Sequence, residues 1–213
     1  NPFGVYNDFQ SLFFKKGMNT TNYVSVSSGD EKTSTLFSFE NYTNEGVLNE
    51  TEGYKRTSIR ANIDYNFNEK LKFSASNAFI QVRDYAPGIG DQGYRTVSRL
   101  SPDANLTLDN PDGQPYWYNP DPHESEIDNP LYQLATPDRL AKQSRFLGGY
   151  NLRYNILPVL TAELEYSFES DNYRYSSHNP YTTYITSGDP VGFGYSKGSL
   201  YKNNYYQLSQ KAQ

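Results

Sequence analysis

From Thr57 to Phe67 the chain alternates strictly. Thr57, Ile59, Ala61, Ile63, Tyr65 and Phe67 form one set, and Ser58, Arg60, Asn62, Asp64 and Asn66 the other. Successive side chains of an extended strand point to opposite faces, so this pattern puts every charge on one face and leaves the other without any. A short polar turn, Asn68-Glu69-Lys70, separates it from a second alternating run, with Leu71, Phe73 and Ala75 on one side and Lys72, Ser74 and Ser76 on the other. The pair is an antiparallel hairpin. Its strands exceed the usual length of about 5–6 residues and reach the roughly 9–11 that a tilted strand needs to cross a bilayer.

The same patterning recurs along the chain. Strands are expected near 20–28, 33–43, 54–67, 71–82, 144–156, 160–169 and 200–213, all in an antiparallel up-and-down arrangement. The connections alternate in length: short at 29–32, long at 44–53, short at 68–70, very long at 83–143, short at 157–159, long at 170–199. In an up-and-down sheet every second connection lies at the same end. Short turns at one end and long loops at the other are the asymmetry of outer-membrane barrels, whose short turns are periplasmic and long loops extracellular. A β-sandwich also alternates apolar and polar residues, but its connections need not segregate in this way. Tyr65, Phe67, Tyr154, Tyr166 and Phe168 fall near strand ends, where interfacial aromatic girdles sit. The expected fold is therefore all-β, a segment of a transmembrane barrel. Residues 57–67 present their apolar set to membrane lipid, and Arg60, Asn62, Asp64, Arg153, Glu163 and Glu165 face the lumen. Edge strands in a bilayer would leave N–H and C=O groups facing hydrocarbon. A strand before Asn1 and a partner after Gln213 are therefore expected, with 1–213 forming a partial barrel domain.

Composition narrows the function classes. The chain has no cysteine, which excludes disulfide and zinc-thiolate chemistry. A net charge of −5 offers no basic surface for nucleic acid. Abundant Tyr and Phe (21 and 12) beside Asn and Thr favour strands and turns over helices. Phe9, Leu12 and Phe13 have helical spacing, so residues 1–18 are expected to form a short amphipathic turn or a loop packed on the barrel rim.

The order and spacing of several motifs resemble the SusC-like TonB-dependent transporters of Bacteroidota outer membranes. They are Asp8-Phe9-Gln10, Ser28-Gly29-Asp30, Glu31-Lys32-Thr33, Glu45-Gly46, Tyr54-Lys55-Arg56, Arg60-Ala61-Asn62-Ile63-Asp64-Tyr65, Asp112-Gly113 and Asn129-Pro130-Leu131. Phe9 stands where that family has Trp, and Asp30 where it has Gly. The resemblance implies the barrel segment that follows the plug, in a complete barrel of about 22 strands with a plugged lumen. It implies import of a nutrient oligomer, a glycan or a peptide, into a Gram-negative cell. A SusD-like surface lipoprotein would lid the mouth, and the TonB complex would engage parts of the protein outside this chain.

Other chemistry is thinly represented. His123, Glu124, Glu126 and Asp128 cluster in the long loop, but one histidine among acids is ordinarily solvated. Asn110-Pro111-Asp112-Gly113 is read as a turn, because Leu108 and Asn119 occupy the positions where a calcium loop needs Asp and Glu. Four Asn-x-Ser/Thr sequons (Asn19, Asn41, Asn49, Asn105) are expected by chance in so Asn- and Thr-rich a chain. Glu163 and Glu165 are neighbours on one strand, not a dyad across a cleft. With no nucleophile–base set, phosphate loop, metal site or cofactor motif, the chain is not read as an enzyme. The sharpest site candidate is Tyr116-Trp117-Tyr118, three adjacent aromatics in a polar loop. They are suited to stacking on substrate or packing against the lipoprotein, or to ordinary loop packing. A secreted glycan-binding β-sandwich, or a surface glycosidase using Glu124 and Asp128, are the alternatives.

Overall fold

The structure is a computed structural model that describes residues 7–85, 95–108, 110, 111, 113, 115–118, 129–135, 138–179 and 197–212. In chain order its elements are α1 (Phe9–Phe13), β1 (Asn19–Gly29), β2 (Thr33–Asn44), β3 (Tyr54–Asn66), β4 (Leu71–Asp84), α2 (Pro130–Ala135), β5 (Asp138–Leu157), β6 (Leu160–Asn179) and β7 (Lys197–Ala212). All seven strands belong to one sheet in the order β1 to β7, each antiparallel to the next. β1 and β7 are the two edges, and the sheet does not close on itself. A sandwich needs a second sheet over the apolar face, and among the described residues every strand lies in this single one. No described helix is long and apolar enough to cross a membrane, which says nothing of strands.

Two loop boundaries need correction. The segment expected as loop from 83 to 143 is strand as far as Asp84 and again from Asp138. The segment expected as loop from 170 to 199 is strand to Asn179 and from Lys197. The cause is visible in β6. Leu164, Tyr166 and Phe168 pair with Leu152, Tyr150 and Gly148, whereas Tyr173 and Tyr175 pair with Gln143 and Ala141 on the opposite face. The large side chains change face between Phe168 and Tyr173. Period-two reading stops there, while the backbone ladder continues for a further turn of the alternation and beyond.

Short turns are closed by side chains at their first position. The Asp30 carboxylate accepts from the backbone N–H of Lys32 (2.8 Å) and Thr33 (2.7 Å). Asn68 Oδ1 accepts from the N–H of Lys70 (2.8 Å) and Leu71 (3.0 Å). Both are Asx turns, the local hydrogen bond that makes Asp and Asn turn residues. At the opposite end the 45–53 connection returns through Gly53, whose φ is +73° and whose missing Cβ would lie 2.1 Å from the Asn44 carbonyl oxygen. Only glycine fits that backbone.

Large aromatics on the apolar face stand uncovered. Ser38 is 9% exposed while its neighbours Phe37 and Phe39, on the other face, are 51% and 38% exposed. Here a small polar residue is sheltered and two large aromatics are not. A separate small core sits at the long-connection end. There Phe13, Val97 and Leu134 are buried, with Phe9, Phe14, Leu48 and Leu131 against them. α1 is capped by Asp8, whose carboxylate accepts from Gln10 and Ser11 N–H, and is tied to the 45–53 connection by Asn49 N–H donating to the Phe13 carbonyl (3.0 Å).

Candidate functional site

Cross-strand register gathers the polar side chains onto one face. Asn62 lies opposite Ser76 and Asp64 opposite Ser74 between β3 and β4. Arg153 lies opposite Glu163, and Asn151 opposite Glu165, between β5 and β6. Arg60, Asn62, Asp64, Arg153, Glu163 and Glu165 therefore share a face, because directly opposed residues in an antiparallel pair project the same way.

Hydrogen bonds knit this face across the strands. Ser74 Oγ donates to Asp64 Oδ1 (2.5 Å), Ser76 Oγ to Asn62 Oδ1 (2.9 Å), and Asn151 Nδ2 to Glu163 Oε1 (2.6 Å). Higher on the same face Arg145 Nη2 pairs with Glu169 (2.6 Å), Arg56 Nη2 with Glu40 (2.5 Å), and Gln143 Nε2 donates to Asp171 (2.7 Å). These upper residues extend the polar face beyond the six expected from sequence. Arg145 and Glu169 continue the same alternation, so that signal is sufficient to place them. A polar hollow of about 470 Å³ opens on this face between β3 and β7, lined by Asn62, Asp64, Ser76, Asn151, Glu165 and Lys211 among others. Arg153 lines a second hollow nearer the turns, with Lys70 and Lys72. Both carry carboxylate, amide and ammonium groups, and the first also carries serine hydroxyls. Such a lining hydrogen-bonds polar solutes and water.

The aromatic trio divides. Tyr116 is 5% exposed. Trp117 stacks on Tyr132 of α2 with ring centroids 5.8 Å apart and planes 9° off parallel, and Tyr118 lies 6.3 Å from Trp117. The Trp117 carbonyl accepts from the backbone N–H of Asn129 (2.8 Å), and Asn129 and Pro130 are fully buried. Tyr116 thus packs in the loop, whereas Trp117 and Tyr118 keep part of their surface. Asn129 Oδ1 accepts from Leu131 N–H (3.0 Å), which starts α2 and sets Tyr132 against the indole. His123, Glu124, Glu126 and Asp128 lie outside the described residues. Among the described residues no group of three His, Cys, Asp or Glu is placed to hold a metal ion.

The opposite face is apolar and aromatic. Phe146 stacks on Phe168 (5.2 Å), Phe73 on Tyr150 (6.5 Å), and Tyr65 meets Phe67 edge-on (4.7 Å). Gly148 makes room for Phe168, whose ring comes within 2.5 Å of where a Cβ would stand. Asn77, a polar residue amid this face, accepts the Tyr150 hydroxyl proton through its amide oxygen (2.9 Å).

No protein-family model matches the sequence, and no curated protein matches it. Solved structures do. The chain is similar to the RagAB peptide importer in its closed-closed state, with a TM-score of 0.74 at 19% identity over 99% of this chain and 23% of the other. It matches the RagAB peptide transporter with a TM-score of 0.75 at 18% identity, and the importer's open-open state with 0.72 at 18%, again over 99% and 23%. At this identity the likeness establishes the fold, an antiparallel up-and-down sheet that corresponds to part of a larger barrel-like structure. The chain spans about a quarter of the length of those it matches.

Proposed function

We propose that this chain is a barrel segment of an outer-membrane transporter that imports a nutrient oligomer, most simply a peptide, as one half of a SusC/SusD-type pair energised by TonB. The observation that carries this is the unclosed sheet of 7 strands. It superposes over 99% of its length on part of a peptide importer and has one apolar and one polar face. Such a sheet satisfies its backbone in lipid only inside a closed barrel. The apolar face then meets lipid and the polar face, with Arg60, Asn62, Asp64, Arg153, Glu163 and Glu165, lines the lumen. The motif order resembling SusC-like transporters supports the same function, and the role is transport, not catalysis. On this reading Trp117 and Tyr118 lie in an extracellular loop that contacts substrate or the lipoprotein lid, with Tyr116 and Tyr132 holding them from behind.

The test uses the full-length protein. It should fractionate with the outer membrane, require detergent for extraction, and co-purify a surface lipoprotein. Trp117→Ala with Tyr118→Ala should lower labelled-peptide uptake or lipoprotein recovery while leaving the barrel folded. A protein soluble without detergent defeats the transporter reading. Unchanged uptake and recovery reduce the aromatic pair to loop packing.

A further inference from the structure

The apolar face carries one ordered row of cations; its other ionisable side chains, Asp138 and His178, stand opposite each other four residues further up β5 and β6. Lys55 is opposite Arg83, Arg83 opposite Lys142, Lys142 opposite Arg174, and Arg174 opposite Lys202. Five cations from five consecutive strands thus form one row on the face that holds Ile59, Phe79 and Phe146. Between this row and the hairpin turns, the strand positions on this face contain no Asp, Glu, Lys or Arg. The other face mixes both signs in pairs, such as Arg145 with Glu169 and Arg56 with Glu40. Arg83, Lys142, Arg174 and Lys202 are exposed, and among the described residues none is bridged to a carboxylate. Lys55 is bridged to Glu52 and lies over the Tyr85 ring.

Like charges directly opposite one another destabilise a sheet. A row of five is therefore costly unless an anion lies against it. The chemistry beneath the row is graded. The next row on this face is neutral and hydrogen-bonding, Asn41, Thr57, Gln81, Ser144, Asn172 and Asn204, and the one below is apolar from Phe39 to Phe146. For a strand rise of about 3.4 Å and a tilt of about 40°, Lys55 stands about 30 Å above Phe67, and Lys142 about 40 Å above Leu157. The apolar band of such barrels is about 25 Å tall. The row begins about 5 Å beyond that band at Lys55, on the long-loop side, and climbs to about 15 Å beyond it at Lys142, as rows perpendicular to tilted strands must. With strands about 4.8 Å apart, it is about 19 Å wide, enough to meet more than one phosphate.

We propose that this row is a docking site for the phosphorylated glycolipid of the outer leaflet. Its phosphates sit on the guanidinium and ammonium groups, its sugar and ester oxygens meet the amide and hydroxyl row, and its acyl chains lie on the aromatics below. Arginine at Arg83 and Arg174 offers two-pronged contacts to phosphate, and the lysines supply point charges. A second copy of this chain is disfavoured as occupant, because a single-sign row would meet its own sign. The site rests on the reading that this face meets the membrane.

The experiment takes the full-length protein in phosphatidylcholine nanodiscs doped with bis-phosphorylated lipid A, dephosphorylated lipid A or phosphatidylglycerol. Bound lipid is counted by native mass spectrometry. Wild type should enrich the bis-phosphorylated form over the dephosphorylated one. Each of Arg83→Gln, Lys142→Gln and Arg174→Gln should lower that enrichment by about fivefold, the equivalent of roughly 1 kcal/mol per cation at a membrane surface. Inorganic phosphate at millimolar concentration should not displace the lipid; displacement, equal retention of both lipid A forms, or variants that enrich like wild type would each overturn the docking site. The lipid-selectivity arm needs no variant, so a misfolded mutant leaves the outcome decidable. A protein that never enters the nanodisc rejects the membrane reading itself, which separates that failure from this one.

Discussion

The two faces of the sheet share every backbone atom and differ in almost everything else. One holds Asp64, Arg145, Glu163 and Glu169 in cross-strand hydrogen bonds and ion pairs. The other holds Phe73, Tyr150, Phe146 and Phe168 in aromatic contact, and Asn77 within it is satisfied by the Tyr150 hydroxyl. The first tolerates charge because each charge finds a partner or water. The second tolerates it only at its upper margin, where the cation row stands. A single strand therefore presents two chemistries, and on the transporter reading neighbouring residues have opposite sensitivities.

The sharpest way to break this comparison is to put the same charge on each face at adjacent positions. Ile63→Arg should destabilise the full-length protein in bilayers by about 2–4 kcal/mol, as measured by reversible unfolding, if it lies near midplane depth. Ser74→Arg, on the polar face beside Asp64, should change the same midpoint by under about 0.5 kcal/mol. Equal penalties would mean that the faces do not see different solvents.

Packing on the apolar face gives the next effect. Gly148→Ala places a methyl within 2.5 Å of the Phe168 ring and should cost about 1 kcal/mol through the displaced aromatic. Combining it with Phe168→Leu should recover part of that loss in a double-mutant cycle. Additive penalties would show that the ring does not fill the glycine's space. On the polar face the corresponding contact is Arg145–Glu169, with side chains 41% and 23% exposed. Arg145→Gln should cost no more than about 1 kcal/mol, and less at high salt, because water screens the pair.

The smallest effect belongs to the β1–β2 turn. Backbone N–H donation from Lys32 and Thr33 holds the Asp30 carboxyl below its ordinary pKa. A group depressed on folding stabilises above its unfolded pKa and loses that contribution as pH falls through its folded value. Asp30→Ala should therefore lower the thermal midpoint slightly at neutral pH, and the difference should vanish in strong acid. A difference that persisted there would assign the effect to backbone conformation instead of the carboxylate.

The amino-acid sequence by itself determined which side chains share a face within a strand. Alternation from Thr57 to Phe67 and from Phe146 to Tyr154 is local, and the Asp30 and Asn68 turns close through neighbours two and three residues away. It also sufficed for the fold class and for placing Arg60, Asn62, Asp64, Arg153, Glu163 and Glu165 on one face. It did not reveal residues 138–143 of β5 or the second half of β6, where beyond Phe168 the large residues change face and the period-two signal ends. Only the tertiary structure decided register between strands. Arg83 and Lys142 are joined by a long connection, so nothing local says that they stand opposite each other. The same is true of Tyr132, whose ring stacks on Trp117 from a separate element, α2. Side-chain direction is a property of one residue's backbone. The alignment of two strands is a property of the whole ladder of hydrogen bonds and of the packing on both faces, and a slip of one residue would turn every partner to the wrong side.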